Sequence, residues 1–520
     1  MTSTVNDEIN KQSPAGTVTG GKPTPHVQVA IIGTGFSGLG VAVKLLENKV
    51  TDFVVLERAD EVGGTWRDNT YPGVACDVMA LLYVYSFAQK SDWKSTFGTR
   101  DELFDYLRGI ADRYGVRPHI KFNHEVVGAQ WDERLRRWNI QTSQGDYTAQ
   151  VLVAGSGYLS DPVIPNIPGI NEFQGKIMHS SKWDHSYDVK DRKVAVIGTG
   201  ASAIQFVPAI QPEVGHLDLY QRSAPWVMPK PDKPNKGLHG WALKNFPGYR
   251  AFRRGFNKRG REILSFIFSN PNIAAKTVQG NAEKYLKKSV PDAELRARLT
   301  PNFVVACKRL LFSNKWYPAI QADNVEIIDG EVGRVTPTGI VGSDGKERAV
   351  DAIILGTGFQ ATKRPIAAKL TGRAGITLEQ QWDRSGMKAY RGTTVAGFPN
   401  LFLMLGPNTT LGHSSQTLMI EAQMNYVIDA VNTINKRGLA SVEVQSDVQE
   451  RYNEFVEKAI EGTAWDPATC NSWYVDSTGR NPSLWPMKTS KFTKSTKKFD
   501  VQAYQVATLT GAEKHVRVQA

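Results

Sequence analysis

Apolar residues gather first at residues 27–32, Val-Gln-Val-Ala-Ile-Ile, a run that reads as a buried strand. A glycine turn follows, then helical periodicity over residues 39–48, then a second apolar run, Phe53-Val54-Val55-Leu56, ending at Glu57. Strand, turn, helix and strand make one complete βαβ unit. The same grammar recurs from Lys193: Val194-Ala195-Val196-Ile197, a second glycine turn, a helix through Ile210, and the strand Leu217-Asp218-Leu219-Tyr220. Two later runs, at 151–157 and 352–359, each place an apolar strand before a small-residue turn, as if closing a nucleotide-binding sheet. The pattern predicts an α/β fold of two dinucleotide-binding (Rossmann-like) domains, the second inserted into the first.

Punctuation sets the boundaries. The Pro-rich stretch at 161–169 reads as an interdomain linker. The first domain then takes residues 26–165 and 350–520, and the second takes 166–349. A basic, helix-prone stretch at about 231–300 breaks the βαβ pattern and predicts a helical insertion. Residues 1–25, rich in Ser, Thr, Gly and Pro, read as a flexible tail without the apolar region of a signal peptide.

The turns carry the first chemistry. In Gly33-Thr34-Gly35-Phe36-Ser37-Gly38 the first glycine permits the tight turn and the second lets the backbone approach a pyrophosphate. The third lets the helix pack close to its strand, and the helix N-terminus attracts the negative charge. Glu57, 24 residues after Gly33, stands at a strand end, where a carboxylate accepts hydrogen bonds from a ribose. An acid there disfavours a 2′-phosphate, so the site suits FAD or NAD. The second turn is Gly198-Thr199-Gly200-Ala201-Ser202-Ala203, and Arg222 lies 24 residues after Gly198. A guanidinium there suits the 2′-phosphate of NADPH, although a plain surface arginine at a strand end fits too. FAD at the first site and NADPH at the second describe a flavin reduced by hydride transfer.

Composition narrows the classes. A chain of 520 residues with 41% apolar and 10% aromatic residues supports a packed core of two or three domains. Cys76, Cys307 and Cys470 are too few and scattered for a disulfide framework, and the lack of a Cys-x-x-Cys pair argues against a flavin–dithiol reductase. The thiol count suits a reducing compartment. No run reaches the length of a membrane span, and the expectation is a soluble, cytoplasmic protein with no membrane partner. The net charge of +12 is concentrated around 230–261 and in the lysines of 488–498. No nucleic-acid motif accompanies either patch, so solvated faces or attraction of an anionic cofactor explain them. Nothing calls for a metal.

A third signature separates the two halves. Phe173-x-Gly175-x-x-x-His179-x-x-x-Trp183-Asp184 matches, at every fixed position, the fingerprint of type I Baeyer–Villiger monooxygenases. Gly64-x-Trp66, followed by Tyr71-Pro72-Gly73 and Asp77, resembles a second signature of that family, and Asp351 with Gly356-Thr357-Gly358-Phe359 resembles its late flavin-domain motif. The resemblance covers roughly residues 27–490. It implies that NADPH reduces FAD, that O2 adds to the flavin C4a, and that the peroxide anion attacks a ketone carbonyl to give an ester or lactone. Lys308-Arg309-Leu310 resembles the family segment that sets a cation beside the flavin, which makes Arg309 the candidate for that cation. By the same resemblance Asp77 holds the arginine, Lys308 helps Arg222 with the 2′-phosphate, and Trp473, in Cys470-Asn471-Ser472-Trp473-Tyr474, contacts the nicotinamide cofactor. Arg58, Thr65 and Tyr83 join Gly64 and Trp66 as candidate flavin contacts.

Blander readings stand beside these. Asp77 could cap a turn, Arg309 could be a surface residue, and His179 and Trp183 read as positioning and packing residues. Cys307 reads as buried. Alternative activities are an N- or S-oxygenase of the sister families, or an uncoupled NADPH oxidase or redox sensor. The ketone, the regiochemistry of insertion and the choice between monomer and dimer are not legible in the chain.

Overall fold

The computed structural model describes residues 23–509, so most of the expected N-terminal tail lies outside the described residues. Among the described residues the first sheet has eight strands. Its centre is His26–Ile32, flanked in parallel by Phe53–Leu56 and Tyr147–Ala154. These central strands are almost wholly buried, as parallel strands covered on both faces must be, which explains their unbroken apolar runs. One edge of Tyr147–Ala154 is shared. Its start pairs antiparallel with Arg137–Thr142, and its end pairs parallel with Leu401–Leu403.

The second sheet runs Val325–Asp329, His216–Gln221, Lys193–Ile197, Ala352–Leu355, Lys176–His179, with every neighbour parallel. This corrects the expected boundary near 350. Ala352–Leu355 pairs with both Lys193–Ile197 and Lys176–His179, inside the second sheet. The chain returns to the first sheet only after it, joining at Leu370–Thr371. A fully buried apolar strand says nothing about which sheet it completes, which is why the pattern assigned it to the first domain. The crossing is a double track. Val163 N–H donates to Gly358 O at 2.9 Å, the Thr357 hydroxyl donates to Val163 O at 2.6 Å, and Gln360 N–H donates to Asp161 O at 2.9 Å.

Helices fill the region of the expected insertion, chiefly Gly237–Asn245, Pro247–Phe268 and Gly280–Ser289. Against the first sheet, the helix Phe36–Glu47 shares one apolar core with Gln416–Arg437, whose end is capped by left-handed Gly438. Both glycine turns therefore sit at the C-terminal ends of central parallel strands, where open α/β sheets hold their ligands.

Candidate active site

The first turn opens a cleft lined by Gly33, Thr34, Gly35, Phe36 and Ser37, by Glu57 and Arg58, by Gly64, Thr65 and Trp66, and by Tyr83. Gly38 lies behind them, buried at the helix start. Glu57 is 3% exposed. Its Oε2 accepts from Thr34 N–H at 2.9 Å and from the Thr34 hydroxyl at 2.6 Å, and its Oε1 lies 3.0 Å from Arg67 Nη1. Burial works against the Arg67 charge, but Glu57 and Asp68 outweigh it and raise the pKa. Arg58 spans the cleft mouth toward Asp161 at 3.5 Å. Phe36 meets Tyr83 edge-on at 5.3 Å, and Tyr83 meets Trp66 in the same way at 5.6 Å.

In the second turn Gly198 has φ +107°, and a Cβ there would lie 2.6 Å from Gly356 O, so only glycine lets the two strand ends meet. Gly200, Ala201 and Ser202 lead into the helix Ala203–Ile210. Across the turn, the Thr199 hydroxyl donates to Ser223 O at 3.1 Å. Lys308 Nζ donates to Ser223 Oγ at 2.9 Å, beside Arg222. Desolvation and then the Arg222 charge lower the Lys308 pKa. The two cations lie close enough to disfavour one another, and largely exposed Arg222 has the equally exposed Glu331 carboxylate 3.6 Å away.

Arg309 and Asp77, the pair the sequence singled out, are bonded to one another. Arg309 Nη2 donates to Asp77 Oδ1 at 2.8 Å and to Oδ2 at 2.6 Å, and Nε donates to Oδ2 at 3.1 Å. Burial pushes the Asp77 carboxyl up, but the Arg309 charge and hydrogen bonds, with Lys230 and Arg261 behind them, hold it below the ordinary value. The Asp77 charge in turn raises the Arg309 pKa far above normal. One carboxylate among three cations leaves positive charge to spare. Both glycine-turn regions connect to this pair. Asp77 lies on Ala75–Met79, tied to the helix after Gly198 because Gln205 Nε2 donates to Ala75 O at 2.9 Å. Tyr158, lining the first cleft, and Tyr474 both feel the Arg309 charge.

Cys307, two residues before Arg309, is bonded to Cys470 across 163 residues. The expectation of three scattered thiols is therefore corrected, and Cys76 alone is free. Spacing cannot reveal a pairing made only by the fold. The bond seats residues 470–474 beside the Arg309 segment, and leaves Trp473 41% exposed next to buried Tyr474, 4.2 Å away between rings.

Comparison with known proteins decides the family. The model described as Pyridine nucleotide-disulphide oxidoreductase matches residues 30–254. A Baeyer–Villiger monooxygenase of Streptomyces coelicolor is 44% identical over 482 residues, covering 92% of this chain and 93% of the relative. One from Pseudomonas aeruginosa is 44% identical over 509 residues, covering 96% of each. The chain belongs to the Baeyer–Villiger monooxygenase family. The closed crystal structure of a cyclohexanone monooxygenase superposes with a TM-score of 0.83 at 26% identity, over 94% of this chain and 100% of that one. An oxidised steroid monooxygenase bound to NADP gives 0.81 at 26% identity, over 93% and 99%.

In this Baeyer–Villiger monooxygenase the fingerprint around His179 is architectural. His179 is 4% exposed, its Nδ1 lies 2.9 Å from Ser181 Oγ, and its ring meets Phe359 edge-on at 5.8 Å, beside the double crossing. Burial lowers its pKa. Trp183 packs on Phe206 at 5.5 Å. Both sit as positioning and packing residues. Sequence reasoning missed Arg364, which lines the first cleft at 6% exposure. Its Nη1 donates to Leu405 O at 2.6 Å, its Nε has no partner, and among the described residues no carboxylate pairs with it. Desolvation drops its pKa to about 10. A buried, unpaired guanidinium facing the cleft favours an anionic ligand. Its position soon after Gly356-Thr357-Gly358-Phe359 was the only sequence signal, and no spacing rule attaches to it.

Proposed function

We propose that this chain inserts one oxygen atom of O2 beside a ketone carbonyl, using NADPH and FAD: ketone, O2, NADPH and a proton give an ester or lactone, NADP+ and water. The observation that supports this best is Arg309, gripped by Asp77 and felt by Tyr158 of the first cleft. The first domain is the FAD-binding unit and the second the NADPH-binding unit. The first cleft suits FAD: a glycine turn at a helix start for the pyrophosphate, Glu57 at a strand end for a ribose, and the unpaired Arg364 cation. Bound FAD would supply the two-electron relay from NADPH and the activation of O2. Arg222 and Lys308 would select the phosphorylated nicotinamide cofactor, with Trp473 closing over it.

The chain's own contribution to the oxygen-insertion step is a fixed cation. The ketone carbonyl oxygen gains negative charge when its carbon is attacked, and a guanidinium that never loses its proton stabilises that charge without reorganising. Asp77 orients Arg309 through two oxygens. Lys230 and Arg261 keep the neighbourhood positive despite that carboxylate. An NADPH consumer also belongs where NADPH is made, and we place the enzyme in the cytoplasm.

Product analysis tests the reading. Purified holoenzyme would be incubated with NADPH, air, and a panel of linear, cyclic and aryl ketones plus one tertiary amine, followed by mass spectrometry. An ester or lactone one oxygen heavier than its parent ketone is the expected result. N-oxide with every ketone returned unchanged would overturn it in favour of an N-oxygenase. NADPH consumption yielding only hydrogen peroxide would point to an oxidase.

A further inference from the structure

The helix Pro247–Phe268 is built inside out. Its exposed face carries Phe252 (65% exposed), Phe256 (63%), Ile263 (61%) and Phe266 (56%), spaced so that all four share one stripe about 21 Å long. Its inner face seats Phe268 in the apolar core but is otherwise largely polar. Arg254 Nη1 donates to Leu81 O at 2.6 Å, Ser265 is buried, and the Arg261 charge reaches Asp77 and His413. Just before it, Leu238 (77%) and Trp241 (53%) on Gly237–Asn245 and Phe246 (49%) at the junction are exposed too. Scattered exposed apolar residues are ordinary, but a contiguous patch of aromatics is not.

The charges around this patch are mostly positive, with Asp232 and Glu262 the acids at its margins. Residues 233–261 contain nine lysines and arginines and no aspartate or glutamate. Lys233, Lys236, Lys244 and Arg259 are exposed, and the Arg253 guanidinium lies over the Phe256 ring at 6.0 Å. From these observations we infer that Gly237–Asn245 and Pro247–Phe268 form a docking surface for an anionic lipid bilayer, with the aromatic stripe entering the headgroup boundary and the cations meeting lipid phosphates. No described helix is long and apolar enough to cross a membrane, so the attachment is peripheral. The expectation of no membrane partner rested on the lack of a spanning run, which does not bear on peripheral attachment. A second copy is the poorer occupant, because a two-fold contact would set the exposed cations Lys233, Lys236, Lys244 and Arg259 against their own copies. The stripe is a smooth ridge interrupted by Gly255 and Gly260, whose Cβ positions face open space. The inference does not depend on the ketone chemistry.

Flotation of the full-length holoenzyme with vesicles tests it, using phosphatidylcholine alone and phosphatidylcholine mixed with phosphatidylglycerol. The wild type is expected to float with the anionic vesicles at low salt and much less with the neutral ones. Phe252→Ser/Phe256→Ser should weaken this at least about tenfold, and Arg259→Glu by about tenfold. FAD content and NADPH oxidation in solution should be unchanged in both variants, because none of these residues lies in either cofactor cleft. If the wild type floats with neither vesicle, or the variants float as well as the wild type, the surface is not a lipid site. A concentration-dependent dimer in ultracentrifugation that the Phe252→Ser/Phe256→Ser variant abolishes would assign the patch to a second copy instead.

Discussion

Arg309 owes its value to two constraints of different kinds. Electrostatics keep it charged at any working pH, since Asp77 raises an already high pKa. Backbone geometry aims it, since Ala306, three residues earlier, holds φ +76° in the left-handed region that non-glycine residues avoid. Arg309→Ala should therefore leave FAD bound and reducible by NADPH, yet lower ester formation by about 100- to 1,000-fold, the usual loss for one charge-stabilising donor. Rapid-mixing measurement of flavin reduction beside product yield separates the two effects, and a variant with normal yield would remove Arg309 from the reaction. A second residue gives a pH effect. His413 is 2% exposed, and burial first, then the Arg261 charge, pull its pKa down to about 3. A histidine depressed in the folded state takes up its proton more readily when unfolded. Stability therefore falls as pH drops below the unfolded pKa near 6.5, and goes on falling toward about 3. At pH 5 the loss is about 2 kcal/mol. His413→Gln should flatten the decline between pH 7 and pH 5 in denaturant melts, and an unchanged slope would show that other groups dominate.

Elements that bind the cofactors were the most legible part of the chain, because their physics is local. A parallel strand buried on both faces writes an unbroken apolar run, and a glycine turn that must admit phosphate writes its own spacing. Gly38 shows how tight that demand is. A Cβ there would lie 1.8 Å from Gly33 O, on backbone that cannot move without opening the turn. Gly38→Ala should keep the second domain folded and NADP+ binding measurable, while FAD affinity drops by about 5- to 150-fold, as expected for about 1–3 kcal/mol of overpacking. The ratio of flavin to protein absorbance after gel filtration reports it, and a fully yellow variant would mean that the turn does not hold the flavin. Less legible was the ownership of elements. Ala352–Leu355 joins the second sheet through long-range pairing, and nothing in four buried apolar residues names their neighbour.

At the scale of the whole molecule, the site depends on contacts between segments far apart in sequence, and that is where reading the chain ran out. The Arg309–Asp77 pair was reachable only through family resemblance, Arg364 carried no spacing signal, and the bond between Cys307 and Cys470 joins positions 163 residues apart. That bond has the largest consequence. Residues 470–474 contribute no strand or helix to either sheet. The disulfide therefore anchors Tyr474 and Trp473 covalently to the segment bearing Lys308 and Arg309. Both sulfurs are nearly inaccessible, at 2% and 3% residue exposure, which shields the bond from thiols in solution. Closing so long a loop restricts the unfolded chain and typically adds 2–4 kcal/mol. Alkylation of the denatured, unreduced chain should label Cys76 alone, and prior reduction should expose all three cysteines to the label. Three labels without reductant would show the bond to be absent. With the bond in place, Cys470→Ser should lower the unfolding midpoint and, if Trp473 closes over NADPH as proposed, raise KM for NADPH by more than it lowers kcat, because residues 470–474 lose their anchor while Arg309 keeps its grip on Asp77.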